Sequence, residues 1–382
     1  MTRVGLGNLA LKILHVVGAR PNFIKVAPVC RALSENSVVE QAILHTGQHY
    51  DVNMSDVFFE QLGIGTPRFN LGVGSGSHAQ QTAEIIKRFE PIVIAERPDW
   101  VLVYGDVNST IAAALVCSKI GIKLAHVEAG LRSFDRTMPE EINRVLTDHL
   151  ADLLFTPSED GNRNLAREGI APERVHLVGN VMIDTLIRML PHAASAVPAD
   201  IPESFILVTL HRPSNVDDVD WLADMLRTLL TLSQKLPIVF PIHPRTRERM
   251  RAAGLGVAEG RIRFMDPIPY LSFLGLQQRA KLVITDSGGI QEETTFLQVP
   301  CLTVRENTER PITVSMGTNQ LVGRDVGKVA TAVTKLLSGT LKRRRIPPLW
   351  DGHAAERIAA VLTREDVSKR VVSIPQCQTS LR

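Results

Sequence analysis

Short runs of β-branched and aliphatic residues alternate along the chain with stretches whose apolar positions recur every three or four residues. This is the pattern of parallel strands joined by helical crossovers, and it predicts an α/β fold. In the first half, strands are predicted at KILHVVG (12–18), EQAILHT (40–46), WVLVYGD (100–106), KLAHVEA (123–129), DLLFTPS (152–158) and VHLVGN (175–180). These runs are almost continuously apolar, as strands covered on both faces must be. Helices are predicted between them at 78–96, 109–120 and 140–151. A second series follows: FILVTLH (205–211), PIVFPIH (237–243), RIRFMDP (261–267), KLVITDS (281–287) and PCLTVRE (300–306), with helices at 217–235 and 289–298. The region 188–203, rich in Pro, Ala and Ser and without a strong period, is the predicted linker. Two doubly wound Rossmann-like domains facing across a cleft are therefore expected, at 1–182 and 183–352. The helix pattern HAAERIAAVLTRE (353–365), in the stretch of about 353–382 that follows Pro347-Pro348, is free to pack back on either domain, the first included, and periodicity does not choose between them.

In open parallel sheets, ligands bind beyond the carboxyl ends of the strands. Asp106, Glu128, His211, His243 and Ser287 all fall at or just past predicted strand ends, and Arg20 follows the first strand. The segment TDSGGIQEE (285–293) opens a helix directly after a strand. Ser287 is the expected N-cap, and two glycines are expected to let a ligand approach the backbone. Free N–H groups and the helix dipole make such a start a phosphate cradle. GVGSGSH (72–78) matches neither a dinucleotide nor a Walker fingerprint and is read as a flexible loop with a lid role.

Composition narrows the class. The chain has 382 residues, enough for two domains, and 44% hydrophobic with 22% charged residues is ordinary for a globular protein. No run of about 18 uncharged apolar residues suggests a membrane span. Forty-three basic against 40 acidic side chains give a net charge of +3, no global footprint for nucleic acid, and the run Lys342 to Arg345 is read as a solvated loop. Cys30, Cys117, Cys301 and Cys377 show no metal-ligand spacing and are read as reduced thiols of a cytoplasmic protein. No metal site is expected. The opening MTRVGLGNLA lacks a signal-peptide core and is read as a loose tail.

GARPNFIKVAP (18–28), GDVNST (105–110), HVEAGLRS (126–133), PEEINR (139–144), SGGIQEE (287–293) and TERP (308–311) occur in this order over about 290 residues. Together they resemble the non-hydrolysing UDP-N-acetylglucosamine 2-epimerases. The resemblance implies a GT-B fold, a homodimer and an active site between two Rossmann-like domains. It makes Asp106, Glu128, Glu140 and His211 the catalytic set. Arg20 and Lys25 would contact the substrate near its diphosphate and sugar. Ser287, Gly288 and Gly289 would hold the diphosphate, and Glu293 would accept the ribose hydroxyls. Arg310 would lie near the phosphates or the cleft mouth, with His243 a second-tier contact.

The implied reaction explains these residue types. The C2 proton of an N-acetylhexosamine has no adjacent carbonyl, so simple deprotonation would leave an unstabilised carbanion. Elimination across C1–C2 instead releases UDP and a 2-acetamidoglucal, and re-addition with a proton from the other face inverts C2. That scheme needs acid–base groups on both faces and donors on the leaving phosphate. Three carboxylates in one cleft are expected to raise one another's pKa. No hydride moves, so no NAD or other cofactor is required.

Two departures qualify the resemblance. Bacterial members commonly carry a second, activating UDP-N-acetylglucosamine, held by a Gln-His-Arg-Glu/Gln and a His-Arg-Arg-Glu type stretch. Here these read QHYD (48–51) and HRPS (211–214). Gln48 and His49 remain, but Tyr50, Asp51, Pro213 and Ser214 replace polar or cationic residues, which predicts weakened activation. Asn22 in GARPN, where GTRPE is commoner, leaves UDP-2,3-diacetamido-glucuronic acid open as a substrate. A GT-B glycosyltransferase and a non-catalytic UDP-sugar-binding regulator are the alternatives of other classes. Neither needs the three acidic residues.

Overall fold

The computed structural model describes residues 10–48, 62–255, 261–339 and 344–372, apart from the side chains of Arg20 and residues 365–372. Seven strands form one parallel sheet in the order β3-β2-β1-β4-β5-β6-β7. They are β1 (Leu11–Val17), β2 (Val39–His45), β3 (Phe69–Asn70), β4 (Trp100–Tyr104), β5 (Lys123–Val127), β6 (Leu153–Thr156) and β7 (Val175–Leu177). Six more form a second parallel sheet in the order β10-β9-β8-β11-β12-β13. These are β8 (Ile206–Thr209), β9 (Ile238–Pro241), β10 (Ile262–Met265), β11 (Leu282–Thr285), β12 (Cys301–Thr303) and β13 (Asn319–Leu321). Counted from its own first strand, each sheet contains the Rossmann order 3-2-1-4-5-6. Strand order thus reverses between β1 and β4 in one sheet and between β8 and β11 in the other.

The strands form where the sequence supplies residues that water would exclude from both sides. Every residue of β4 is buried, and the helix Asn108–Ile120 buries nine of its own, including Ala112, Ala113 and Ala114. Small side chains on a helix allow close axial approach to its neighbours. In the second sheet, Ile206, Val208, Ile238, Phe240, Leu282 and Ile284 share one core with Leu222, Met225 and Leu229 of the helix Val219–Ser233. β3 and β13, of two and three residues, have no counterpart among the strands read from the sequence.

Among the described residues, those within 10–131, 136–185 and 351–372 form one compact unit, and those within 132–135 and 186–350 form the other. The start of the predicted linker at 188–203 is helical: the helix Val181–Ala193 runs into it, followed by a 3-10 turn at Ala194–Ala196. Val181, Met182, Ile183, Leu186 and Met189 bury a continuous apolar face that outweighs Pro191. So near the helix end, the proline disturbs few hydrogen bonds.

The helix Ala354–Val372 packs on the helix Arg20–Ser34 within the amino-terminal unit. Asp184 holds its first turn, accepting from the backbone N–H groups of Ala354 at 3.3 Å and Ala355 at 2.7 Å. Burial raises the Asp184 carboxyl from 3.8 to about 6, against the lowering pull of those two donors. Between these values the folded chain keeps a proton that the unfolded chain has lost, so this group's stability contribution falls as pH rises from about 4 to about 6. An Asp184→Asn variant is expected to gain about 2–3 kcal/mol on the parent protein across that window. Denaturant unfolding at pH 4, 5, 6 and 7 checks it, and a pH-independent difference would refute it.

Candidate active site

In the amino-terminal unit the turn after β1, the turn after β4 and the loop after β5 lie side by side, because β1 pairs with β4 and β4 with β5. Asn22 fixes the first turn. Its Oδ1 accepts from the N–H groups of Gly18 and Ala19 at 3.0 and 3.1 Å, and its Nδ2 donates to the Tyr104 carbonyl at 2.8 Å. The side chain that the sequence offers as a mark of substrate choice is therefore buried and engaged with backbone.

Gly105 follows β4 with φ +64°, and a Cβ there would lie 2.7 Å from Lys25 Nζ and 3.2 Å from Glu128 Oε2. Glycine leaves room for the ion pair that those two buried side chains form. Lys25, expected at the substrate, is thus spent on Glu128. Glu128 itself sits at φ +74°. The left-handed region costs a residue with a Cβ about 1–2 kcal/mol. The strain is held by the N–H groups of Glu128 and Ala129, both donating to the Phe155 carbonyl at 3.1 and 3.0 Å. Enforced strain of this kind gathers at functional sites.

Asp106 accepts from Nε and Nη2 of Arg144 at 3.0 and 2.8 Å on one carboxylate oxygen. Asn143 Nδ2 donates to the Asp106 carbonyl at 2.9 Å, and Arg144 is shared with buried Glu141. Glu140, on the same helix Pro139–Leu150, lines with Asp106 a cavity of about 320 Å³. The sequence predicts three carboxylates crowding one another, whereas here Asp106 and Glu128 each face a cation that removes the repulsion.

Ser75, Gly76 and His78 form part of the cavity wall, while Ser77 caps the helix His78–Glu96 by accepting from Gln80 N–H. Gln48 also lines the cavity and accepts from the Ser109 N–H and hydroxyl at 3.1 and 2.7 Å. Behind Gly105, buried His126 bridges the Gly105 carbonyl at 2.9 Å and Asp148 at 2.6 Å. Arg144, His126 and Asp148 were not singled out in the sequence. Their signal is position inside or beside the HVEAGLRS and PEEINR motifs. The backbone of Arg20 opens the helix Arg20–Ser34, and its side chain lies outside the described residues, as do His49, Tyr50, Asp51, Lys342 and Cys377.

In the carboxyl-terminal unit the corresponding reversal brings His211, after β8, beside Asp286, after β11. His211 Nδ1 lies 3.0 Å from Asp286 Oδ1, and the backbone N–H groups of His211 and Arg212 also donate to this carboxylate. Burial alone would push the Asp286 carboxyl up, but the hydrogen bond and charge of His211 and the two N–H groups hold it below the usual range. The His243 ring stands 5.5 Å from that of His211, and its Nδ1 accepts from Arg245 N–H at 3.2 Å.

Ser287 is the N-cap residue of the helix Gly288–Leu297, yet its side chain makes no capping hydrogen bond. A Cβ on Gly288 would lie 2.6 Å from both Arg310 Nη1 and Glu309 Oε1. The space that the sequence assigns to ligand approach at Gly288 is therefore occupied by the protein's own ion pair. Gly289 follows in the first turn. Arg310 Nε lies 2.8 Å from Glu292, and Nη1 2.5 Å from Glu309. Glu293 is buried, accepting from Tyr270 hydroxyl at 2.9 Å and Gln277 Nε2 at 2.5 Å. Burial raises its carboxyl, opposed by those two donors. Among the described residues no helix is long and apolar enough to cross a membrane, and no group of three or more His, Cys, Asp or Glu is gathered to hold a metal.

Two such Rossmann-type units define a GT-B fold protein. A lipopolysaccharide outer core galactosyltransferase in its apo form shares the fold at a TM-score of 0.51 and 15% identity, covering 95% of this chain and 99% of that one. The chain belongs to the UDP-N-acetylglucosamine 2-epimerase family, whose model matches residues 31–363. The UDP-N-acetylglucosamine 2-epimerase of Methanocaldococcus jannaschii is 43% identical over 365 residues, covering 92% of this chain and 99% of that protein. A crystal structure of the Methanocaldococcus jannaschii UDP-GlcNAc 2-epimerase in complex with UDP-GlcNAc and UDP matches with a TM-score of 0.84 and 42% identity, with 92% and 99% covered. The UDP-2,3-diacetamido-2,3-dideoxy-D-glucuronate 2-epimerase of Pseudomonas aeruginosa is 41% identical over 357 residues, covering 93% of this chain and all of that one.

Proposed function

We propose that this protein interconverts UDP-N-acetylglucosamine and UDP-N-acetylmannosamine in the cytoplasm, as a homodimer and without a cofactor, by eliminating and re-adding UDP. The observation that carries this reading is the pair of strand-end carboxylates, Asp106 on Arg144 and Glu128 on Lys25, the latter on a strained backbone. A glycosyltransferase has no use for that pair in its amino-terminal unit. Asp106, Glu128 and Glu140 remove the C2 proton and return one to the opposite face. As the C1–oxygen bond breaks, its electron pair leaves with UDP. His211, Arg20 and the N–H groups at Ser287–Gly289 receive that charge. Glu293 takes the ribose hydroxyls, and His243 and Arg310 support the phosphate end.

The near-equal likeness to the Pseudomonas aeruginosa enzyme supports UDP-2,3-diacetamido-glucuronic acid as the second substrate reading. Incubation of either sugar nucleotide in D2O, followed by proton NMR at C2, tests both. Deuterium entering C2 as the epimer appears is expected, with the faster substrate the native one. No exchange with either would overturn the reading. Run from UDP-N-acetylmannosamine, the same assay checks regulation: Pro213 opens the short helix Pro213–Val216 and has no side-chain donor for a phosphate. Hyperbolic kinetics without a requirement for UDP-N-acetylglucosamine are expected, and a strict requirement would refute weakened activation.

A further inference from the structure

Asp286 is fully buried and gathers donors from a single short stretch of chain. It accepts from His211 N–H at 3.0 and 3.1 Å, Arg212 N–H at 2.9 Å, Asn215 Nδ2 at 3.1 Å, and faces His211 Nδ1 at 3.0 Å. Asn215 is itself anchored by a second bond to the Val304 carbonyl at 3.0 Å. The carboxylate therefore cannot rotate away from the imidazole without abandoning three other donors. We infer that Asp286 is a positioning residue that fixes His211 with its proton on Nδ1, so that Nε2 is the ring nitrogen presented to the substrate.

The chemistry of the partners supports this tautomer. An ionised carboxylate offers only acceptors, so the nitrogen facing it must carry hydrogen. The groups around the ring do not compete for that role. His243 presents an Nδ1 already accepting from Arg245 N–H. The Arg212 guanidinium is turned to the Asp286 carbonyl, through Nε at 3.1 Å, and toward Glu309, 4.0 Å from Nη2. The His211 side chain is 38% exposed while Asp286 is sealed, so the ring spans from protein interior to solvent. The tautomer follows from these contacts alone. Only the consequence for catalysis rests on the proposed reaction, where His211 donates Nε2–H to the leaving diphosphate while the Asp286 carboxylate accepts from Nδ1–H and balances the imidazolium charge.

Full-length protein labelled with 15N-histidine, with His211 assigned by the signal missing in His211→Asn, reads the tautomer directly. A protonated Nδ1 is expected in the neutral ring, and a protonated Nε2 there would overturn the inference without any variant having to fold. In Asp286→Asn, the amide oxygen can keep the backbone N–H groups, which turns the NH2 toward Nδ1 and forces the opposite tautomer. The substitution also withdraws the carboxylate that balances the ring while Nε2 donates, so kcat for C2 exchange should fall by at least about tenfold, with KM changed less. In a His211→Asn background the same substitution should add less than about twofold. An unchanged tautomer in Asp286→Asn, or the full loss recurring in that background, overturns the inference. Correct tautomers in a protein that does not exchange C2 hydrogen would uphold Asp286 and overturn the proposed reaction.

Discussion

A Glu128→Gln protein is expected to lose C2 deuterium exchange by about 10²–10⁴-fold, the usual contribution of a positioned acid–base group. The amide keeps the shape of the side chain and the left-handed backbone but cannot accept the proton. It also leaves Lys25, buried at 4% exposure, without its counter-charge. Removing one partner of a buried pair costs about 3–5 kcal/mol, so a drop in stability should accompany the loss of turnover. Two measurements separate these effects. Affinity for UDP, whose contacts at Ser287–Gly289 and Glu293 are proposed on the carboxyl-terminal unit, should stay within about twofold by calorimetry if that unit remains folded. A Lys25→Met, Glu128→Gln double variant should recover much of the stability and none of the exchange. Exchange at the parent rate in folded Glu128→Gln would remove Glu128 from the chemistry.

Arg310→Met should produce the largest loss of stability in the carboxyl-terminal unit. Arg305, Arg310, Glu292 and Glu309 form a buried, charge-balanced group, with Glu309 bound to both arginines and Arg310 to both glutamates. Taking away Arg310 removes the ion pair at Glu292 and one of those at Glu309, beside the start of the helix Gly288–Leu297. A penalty of about 3–5 kcal/mol lowers the unfolding midpoint of this unit by on the order of 10 °C. The compensating variant Glu292→Gln, Arg310→Met should regain part of it. A midpoint shift below about 2 °C would show that the group does not work as a unit.

Much of this organisation was visible in the sequence, because strands buried on both faces must be continuously apolar and because parallel sheets place ligands beyond their carboxyl ends. Asp106, Glu128, His211 and Ser287 stood out on that rule alone. Their partners did not. Arg144 reaches Asp106 across 38 positions and Asp286 reaches His211 across 75, and no periodicity carries such information. Lys25 and Gly288 could be read only as substrate contacts, since an unpaired cation and a glycine before a helix look the same whether the nearby group is a ligand or another side chain. The helix running into 188–203 was obscured by Pro191, although its buried face was present in the apolar residues ahead of it.

The return of the helix Ala354–Val372 to the helix Arg20–Ser34 has a consequence for biosynthesis. A ribosome completes the strands that lead into Asp106 and Glu128 early, yet the last cover of the unit that carries them emerges only after nearly all of the second unit has been translated. At about 5–20 residues per second that interval is roughly ten to thirty seconds. During it the nascent chain carries an apolar helix face and an Asp184 carboxylate with no helix start to hold, so this unit, first begun, is the last to be closed.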